Sequence, residues 1–195
     1  MMKKSLIALV IAAMGMSVAN AATEATAVAT WQATAKKDVT ADLVVTPLGS
    51  LAFQYAEGIK GFNTVDGLFD VTVKGQAGTT EDPITDFTLK AKKLSGTLNH
   101  LAGGSTVDVG VFWMGQPLTT SAYTFLIDTS KGITGGNLSP LAEGFNKNGQ
   151  RTSAQSQFSF NIEKATVAGA PAPFNTLPDG LWSGQVNVEF VANWS

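Results

Sequence analysis

Any reaction chemistry in this 195-residue chain would have to come from a few side chains. His100 is the single histidine and cysteine is absent, so the imidazole and thiolate sets that hold zinc or iron cannot be assembled. Its neighbours Leu98 and Leu101 place it, as an expectation, in a surface loop. Asp66 with Asp70, or Glu81 with Asp82 and Asp86, could pair as general acid and base. Both groups fall in turn-like sequence, where acids cap and solvate chain ends. Gly135-Gly136-Asn137 lacks the Lys-Ser/Thr that would make it a phosphate loop. No catalytic, cofactor-binding or metal-ligating residue is assigned, and the chain is not expected to be an enzyme.

Binding chemistry has slightly more material. Trp113 and Trp182 could stack on a sugar ring. Trp113 is in register with Val107, Val109 and Val111 and is expected in a core, whereas Trp182 follows an Asp179-Gly180 turn and stays open. Lys90, Lys92 and Lys93 are expected on the wet face of a strand. The formal net charge is −2, and it becomes more negative once Lys3 and Lys4 leave with a cleaved leader, which argues against nucleic acid as a partner.

The elements carrying these residues are strands. Charged residues make up only 14% of the chain, glycine counts 20, and two-residue alternation dominates. A short strand at 43–46 is stopped by Pro47, and Leu51, Phe53 and Tyr55 alternate as another. Asp66-Gly67 is predicted to turn into the inward row Phe69, Val71 and Val73. Phe87, Leu89 and Ala91 form a further row, and Val107, Val109, Val111 and Trp113 form the strongest one. Tyr123, Phe125 and Ile127 are predicted to return as its hairpin partner over 106–128. The glycine-rich stretch 130–149 is read as a long loop with room for a helical turn at 140–144; loops of that length are often functional. Phe158, Phe160 and Ile162 precede a Pro/Ala-rich connection, and Val186, Val188, Phe190, Ala192 and Trp194 alternate to the end. Roughly seven or eight strands without βαβ units predict an antiparallel immunoglobulin-like sandwich.

Two segments precede that body. Lys3-Lys4, the apolar run 6–13 and Ala19-Asn20-Ala21 have the order of a secretory signal peptide, cleaved between Ala21 and Ala22. The run is too short to span a bilayer. The domains are therefore residues 1–21 as signal peptide, 22–41 as an N-terminal strand and hinge, and 42–195 as the sandwich. In the second segment Ala25, Ala27, Ala29, Trp31, Ala33 and Ala35 alternate with mostly polar residues. Five alanines and one tryptophan make a thin strand with one large anchor, suited to a groove that another sheet leaves open. Burying the indole removes about 150–250 Å² from water, an upper estimate of roughly 4–6 kcal/mol. Self-insertion through the Lys36-Lys37-Asp38 hinge is the alternative to serving a neighbour.

Four blocks carry a resemblance to a known family: Ala27-Val-Ala-Thr-Trp31 with Ala33-Thr-Ala-Lys-Lys-Asp38, the dense apolar block from Leu43 to Asn63, Gly135-Gly-Asn-Leu-Ser-Pro-Leu-Ala142, and Leu177-Pro-Asp-Gly-Leu-Trp-Ser-Gly184. They resemble the major fimbrillins of the enterobacterial common pilus, or Mat fimbria. The likeness spans the mature chain and is weaker over 75–131. It implies an all-β fold, an incomplete immunoglobulin-like sandwich lacking one strand that a neighbour's N-terminal donor strand supplies. The donor positions would be Ala25, Ala27, Ala29, Trp31, Ala33 and Ala35, and the C-terminal strand with Val186, Val188, Phe190, Ala192 and Trp194 would flank the groove. It further implies a surface fimbria supporting adhesion and biofilm formation, reached through the periplasm with a chaperone and an outer-membrane usher, and a separate tip adhesin. The cysteine pair of type 1 and P pilins has no counterpart here, while their penultimate aromatic is matched by Trp194. The competing reading is a secreted sandwich that binds glycans through Trp182 and the 132–149 loop.

Overall fold

A computed structural model describes residues 42–195. The predicted leader with its Ala21/Ala22 junction and the predicted donor positions Ala25, Ala27, Ala29, Trp31, Ala33 and Ala35 lie outside the described residues.

The body starts with β1 (Leu43–Leu48), followed by a small hairpin of β2 (Tyr55–Ala56) and β3 (Gly61–Phe62). Then come β4 (Val65–Lys74), β5 (Phe87–Ser95), β6 (Thr97–His100) and β7 (Ser105–Trp113). After β8 (Gln116–Pro117) and β9 (Thr124–Asp128) the chain forms its short helix α1 (Ser139–Gly144). It finishes with β10 (Arg151–Val167), β11 (Ala170–Pro171), β12 (Trp182–Gly184) and β13 (Asn187–Trp194). One sheet has the order β1-β4-β10-β7-β6-β12, with β11 on β10 and β8 on β7. The second has the order β13-β5-β9. All these pairs are antiparallel. The result is an all-β, immunoglobulin-like sandwich.

Alternation explains the core. In β4 the side chains of Phe69, Val71 and Val73 turn inward and those between them outward; β5 does the same with Phe87, Leu89 and Ala91. The central β10 pairs with β4 along its first half and with β7 along its second. A register shift between Ile162 and Lys164 bulges out Glu163, so Ile162 and Ala165 both face the core. Gly110 lies opposite, where any Cβ would collide with the Glu163 side chain.

Several expectations are corrected. The 106–128 hairpin does not form: β7 turns at Met114-Gly115 into β8, and Leu118 then plugs the core. The chain next crosses to the other sheet, where β9 pairs with β5 through a register shift between Leu89 and Lys90. Leu126 and Ile127 consequently face inward together and Phe125 is exposed. Residues 51–54 form no regular strand, although Leu51 and Phe53 still pack on the core. Asp66-Gly67 is not a turn but part of β4; the Phe160 ring occupies the place of a Cβ at Gly67, so this glycine serves packing. The long 130–149 stretch is a structural plug: it contains α1 and buries Leu138, Leu141 and Phe145 against the core.

Lys93 is not on the wet face. It is 7% exposed, and its Nζ lies 3.1 Å from the Asp108 carboxylate. His100 is not in a surface loop but ends β6, 8% exposed, with its ring 4.8 Å from that of Trp182 and its Nε2 3.3 Å from the Asp179 carbonyl oxygen. Local sequence concealed this because the burying partner lies eighty residues on.

Candidate strand-accepting cleft

The two sheets part along one side. Among the described residues β1 has a hydrogen-bonded neighbour only in β4, and β13 only in β5, so both are edge strands, and residues of both line one cavity. Between them lies a cleft of about 630 Å³. One wall carries Val45, Pro47 and Leu48 of β1 with Leu51 and Phe53 beyond it; Phe69, Phe158 and Phe160 floor it; Val186, Val188 and Phe190 form the other wall. Backbone donors and acceptors along a free edge invite another strand, and an apolar floor rewards one whose alternate side chains point down.

The sequence supplies the walls in a recognisable way. Pro47 does not stop the first strand as expected: β1 runs through it to Leu48, and an edge strand tolerates a residue that cannot donate a ladder hydrogen bond. In β13 every inward side chain is only half-buried, although the Phe190 ring packs tilted against Phe69 at 5.4 Å and Phe158 at 5.8 Å. Val186 lies just ahead of β13 and Val188, Phe190, Ala192 and Trp194 lie in it; of these five, Val186, Val188 and Phe190 line the cleft. Ala192 and Trp194 pack at the far end, where Trp194 meets Phe87 at 5.3 Å and its indole Nε1 has no hydrogen-bond partner among the described residues. Alternation alone does not mark the β1 wall as a site; its signal in the sequence is Pro47 and the apolar density of 43–53.

The outer face of the smaller sheet is tied by charge. Tyr123 donates a 2.6 Å hydrogen bond to Glu189, which also pairs with Lys92 at 3.2 Å. The phenol first and the ammonium second hold the Glu189 carboxyl below its ordinary range, and the Glu189 hydrogen bond in turn raises Lys92. At the end of β9, Asp128 is 1% exposed and accepts hydrogen bonds from Lys131 Nζ and Ser130 Oγ, each at 2.7 Å. Lys131, then Ser130, lowers its pKa.

The residues weighed for reaction chemistry do not converge. Asp70 accepts from Thr72, and Asp86 accepts from Thr129 and Thr85. Among the described residues no group of three His, Cys, Asp or Glu side chains could hold a metal ion, and no helix is long and apolar enough to cross a membrane. Trp113 is buried in the core. Trp182 is half-buried, with its Nε1 donating to Ser105 Oγ at 3.1 Å and its ring against His100 and Phe62.

The family model described as Fimbrillin MatB matches residues 24–194. The chain is 54% identical to the common pilus major fimbrillin subunit EcpA of Klebsiella pneumoniae (strain 342), over 100% of both chains. It is 52% identical to the protein of the same name from Escherichia coli (strain K12), again over 100% of both. Among solved structures it is similar to the CooA pilin subunit from enterotoxigenic Escherichia coli, at 17% identity and a TM-score of 0.47, covering 76% of this chain and 86% of that one.

Proposed function

The chain belongs to the Fimbrillin MatB family, and from that premise we propose that it is the major shaft subunit of a surface fimbria that polymerises by donor-strand exchange. It is a structural subunit and not an enzyme. The observation carrying the exchange is the open cleft between β1 and β13, floored by phenylalanines and bounded by two free strand edges. The donor is the alternating segment 25–35 of the neighbouring subunit, with Ala25, Ala27, Ala29, Ala33 and Ala35 letting the backbones approach and Trp31 filling the deepest place.

The same physics calls for partners before assembly. An exposed apolar edge is a template for aggregation, so a periplasmic chaperone covers the cleft and an outer-membrane usher receives the subunit. Residues 1–21 direct export, with cleavage between Ala21 and Ala22. The fibre then lies outside the cell, where it supports adhesion to host cells and biofilm formation, with a tip adhesin at its end.

The test is electron microscopy of cells expressing the system. Deleting residues 22–35 is expected to abolish filaments while the subunit is still exported. Trp31→Ala is expected to leave a secreted, foldable subunit that polymerises poorly. Normal filaments from either variant would overturn the exchange.

A further inference from the structure

A second, smaller cavity of about 200 Å³ adjoins the cleft, and Trp182 lines both. Its lining includes the aromatic rings of Tyr55, Phe62, Phe174 and Trp182 and the two acids Glu57 and Asp179; among the described residues no basic side chain lines it. The rings are set edge to face, Phe62 lying 5.5 Å from Tyr55, 5.8 Å from Phe174 and 6.3 Å from Trp182. Burial first, and the neighbouring Glu57 carboxylate second, raise the Tyr55 pKa and keep the phenol protonated. Aromatic faces combined with carboxylates are the chemistry that holds an alkylammonium.

The sequence contains a matching group at the right place. Lys36 and Lys37 follow directly on Ala35, the last apolar donor position. Every strand pair among the described residues is antiparallel. A donor added to the free edge of β13 by the same rule runs from its Trp194 end towards its Asn187 end. Segment 25–35 extends about 37 Å at about 3.4 Å per residue. The eight residues of β13 cover about 27 Å at the same rise. Started level with Trp194, a donor of that length would overrun β13 past Val186 and Gly184 and leave the cleft beside Trp182. The opposite direction would bring its end out by Trp194, beside Asp86 and the Ser195 backbone paired with it.

Resting on the donor-strand reading above, we propose that the Tyr55, Glu57, Phe62, Asp179 and Trp182 pocket is a latch that captures the Lys36-Lys37 ammonium groups of the incoming subunit. The acids and rings fix the direction of the donor and clamp its trailing end, where an alanine strand offers little apolar area of its own. Glu57 and Asp179 are exposed before assembly, so their substitution leaves the sandwich core untouched.

The experiment compares filaments assembled from full chains carrying Lys36→Glu with Lys37→Glu, Glu57→Lys with Asp179→Lys, and all four changes together. The measurement is the rate of subunit release from purified filaments on warming in detergent, at low and at high salt. Each charge reversal is expected to speed release about fivefold at low salt, the four-fold exchange to return it to within about twofold of the parent, and high salt to erase the differences. The milder pair Glu57→Gln and Asp179→Asn, with circular dichroism of the subunit, guards against misfolding and is expected to show the same direction. Purely additive effects, or none, overturn the latch. Deletion of residues 22–35 is run alongside: filaments lost there with release unchanged in the charge variants overturn the latch alone, whereas filaments surviving the deletion overturn the exchange itself.

Discussion

Two strands of this molecule carry nearly the same sequence pattern and meet opposite fates. In β7, Val107, Val109, Val111 and Trp113 are each between 0% and 5% exposed. In the C-terminal stretch, Val186, Val188, Phe190, Ala192 and Trp194 follow the same period and also finish on tryptophan, yet all five remain partly exposed. β7 lies inside its sheet, between β10 and β6, while β13 is the last strand of its own. Similar local chemistry thus gives a sealed core row in one place and a partly open one in the other. A closed row contributes its full apolar burial to the fold; a half-covered one leaves part of that area uncovered.

That contrast can be broken from either side, and the largest effect is expected in the sealed row. Val109→Asp puts an unpaired charge at a fully buried position and is expected to cost more than about 4 kcal/mol, leaving no folded subunit; denaturant unfolding and export yield check it. Val188→Glu makes the equivalent change in the open row. There the expected loss of subunit stability is below about 1 kcal/mol, with filament yield falling at least tenfold, as read by electron microscopy and thermal unfolding together. A variant that unfolds the isolated subunit as severely as Val109→Asp would show that the two rows do not differ.

Smaller effects test the surroundings of the cleft. Gly67→Ala drives a methyl into the Phe160 ring at the cleft floor, and overpacking of this kind is expected to cost about 1–3 kcal/mol in thermal unfolding. The smallest concerns pH. Asp128 and Glu189 both titrate below their ordinary values in the folded subunit. Their contribution is therefore complete above the ordinary carboxylate range of about 4 and is lost as pH falls through the lowered values. Asp128→Asn is expected to flatten that acid limb in a melting-temperature series against pH and to leave neutral filament assembly unchanged.

Much of the fold was legible because alternation is a local property. The rows Phe69 to Val73, Phe87 to Ala91 and Val107 to Trp113 were visible from side-chain type alone, and so was the last strand. Inside the long glycine-rich stretch the sequence allows a helical turn at 140–144, and α1 forms there. What alternation cannot specify is the neighbour. Phe125 reads as an inward position until β9 is found on the far sheet, where a register shift turns Leu126 and Ile127 inward instead. Lys93 reads as solvated until Asp108 is placed against it, and His100 until Trp182 covers its ring. Gly67 reads as a turn because glycine signals one to any local rule, whereas the Phe160 ring is what requires it.

By itself the sequence determined that the body of this chain is built of strands, that an alternating run of alanines with one tryptophan precedes that body in the chain, and that thiol chemistry has no material here. These follow from residue type and from spacing along one chain. Only the tertiary structure decided which apolar row is sealed and which is left open, because covering a face depends on the sheet that lands opposite it. The cleft between β1 and β13 exists because strands distant in sequence end as two free edges around one apolar floor.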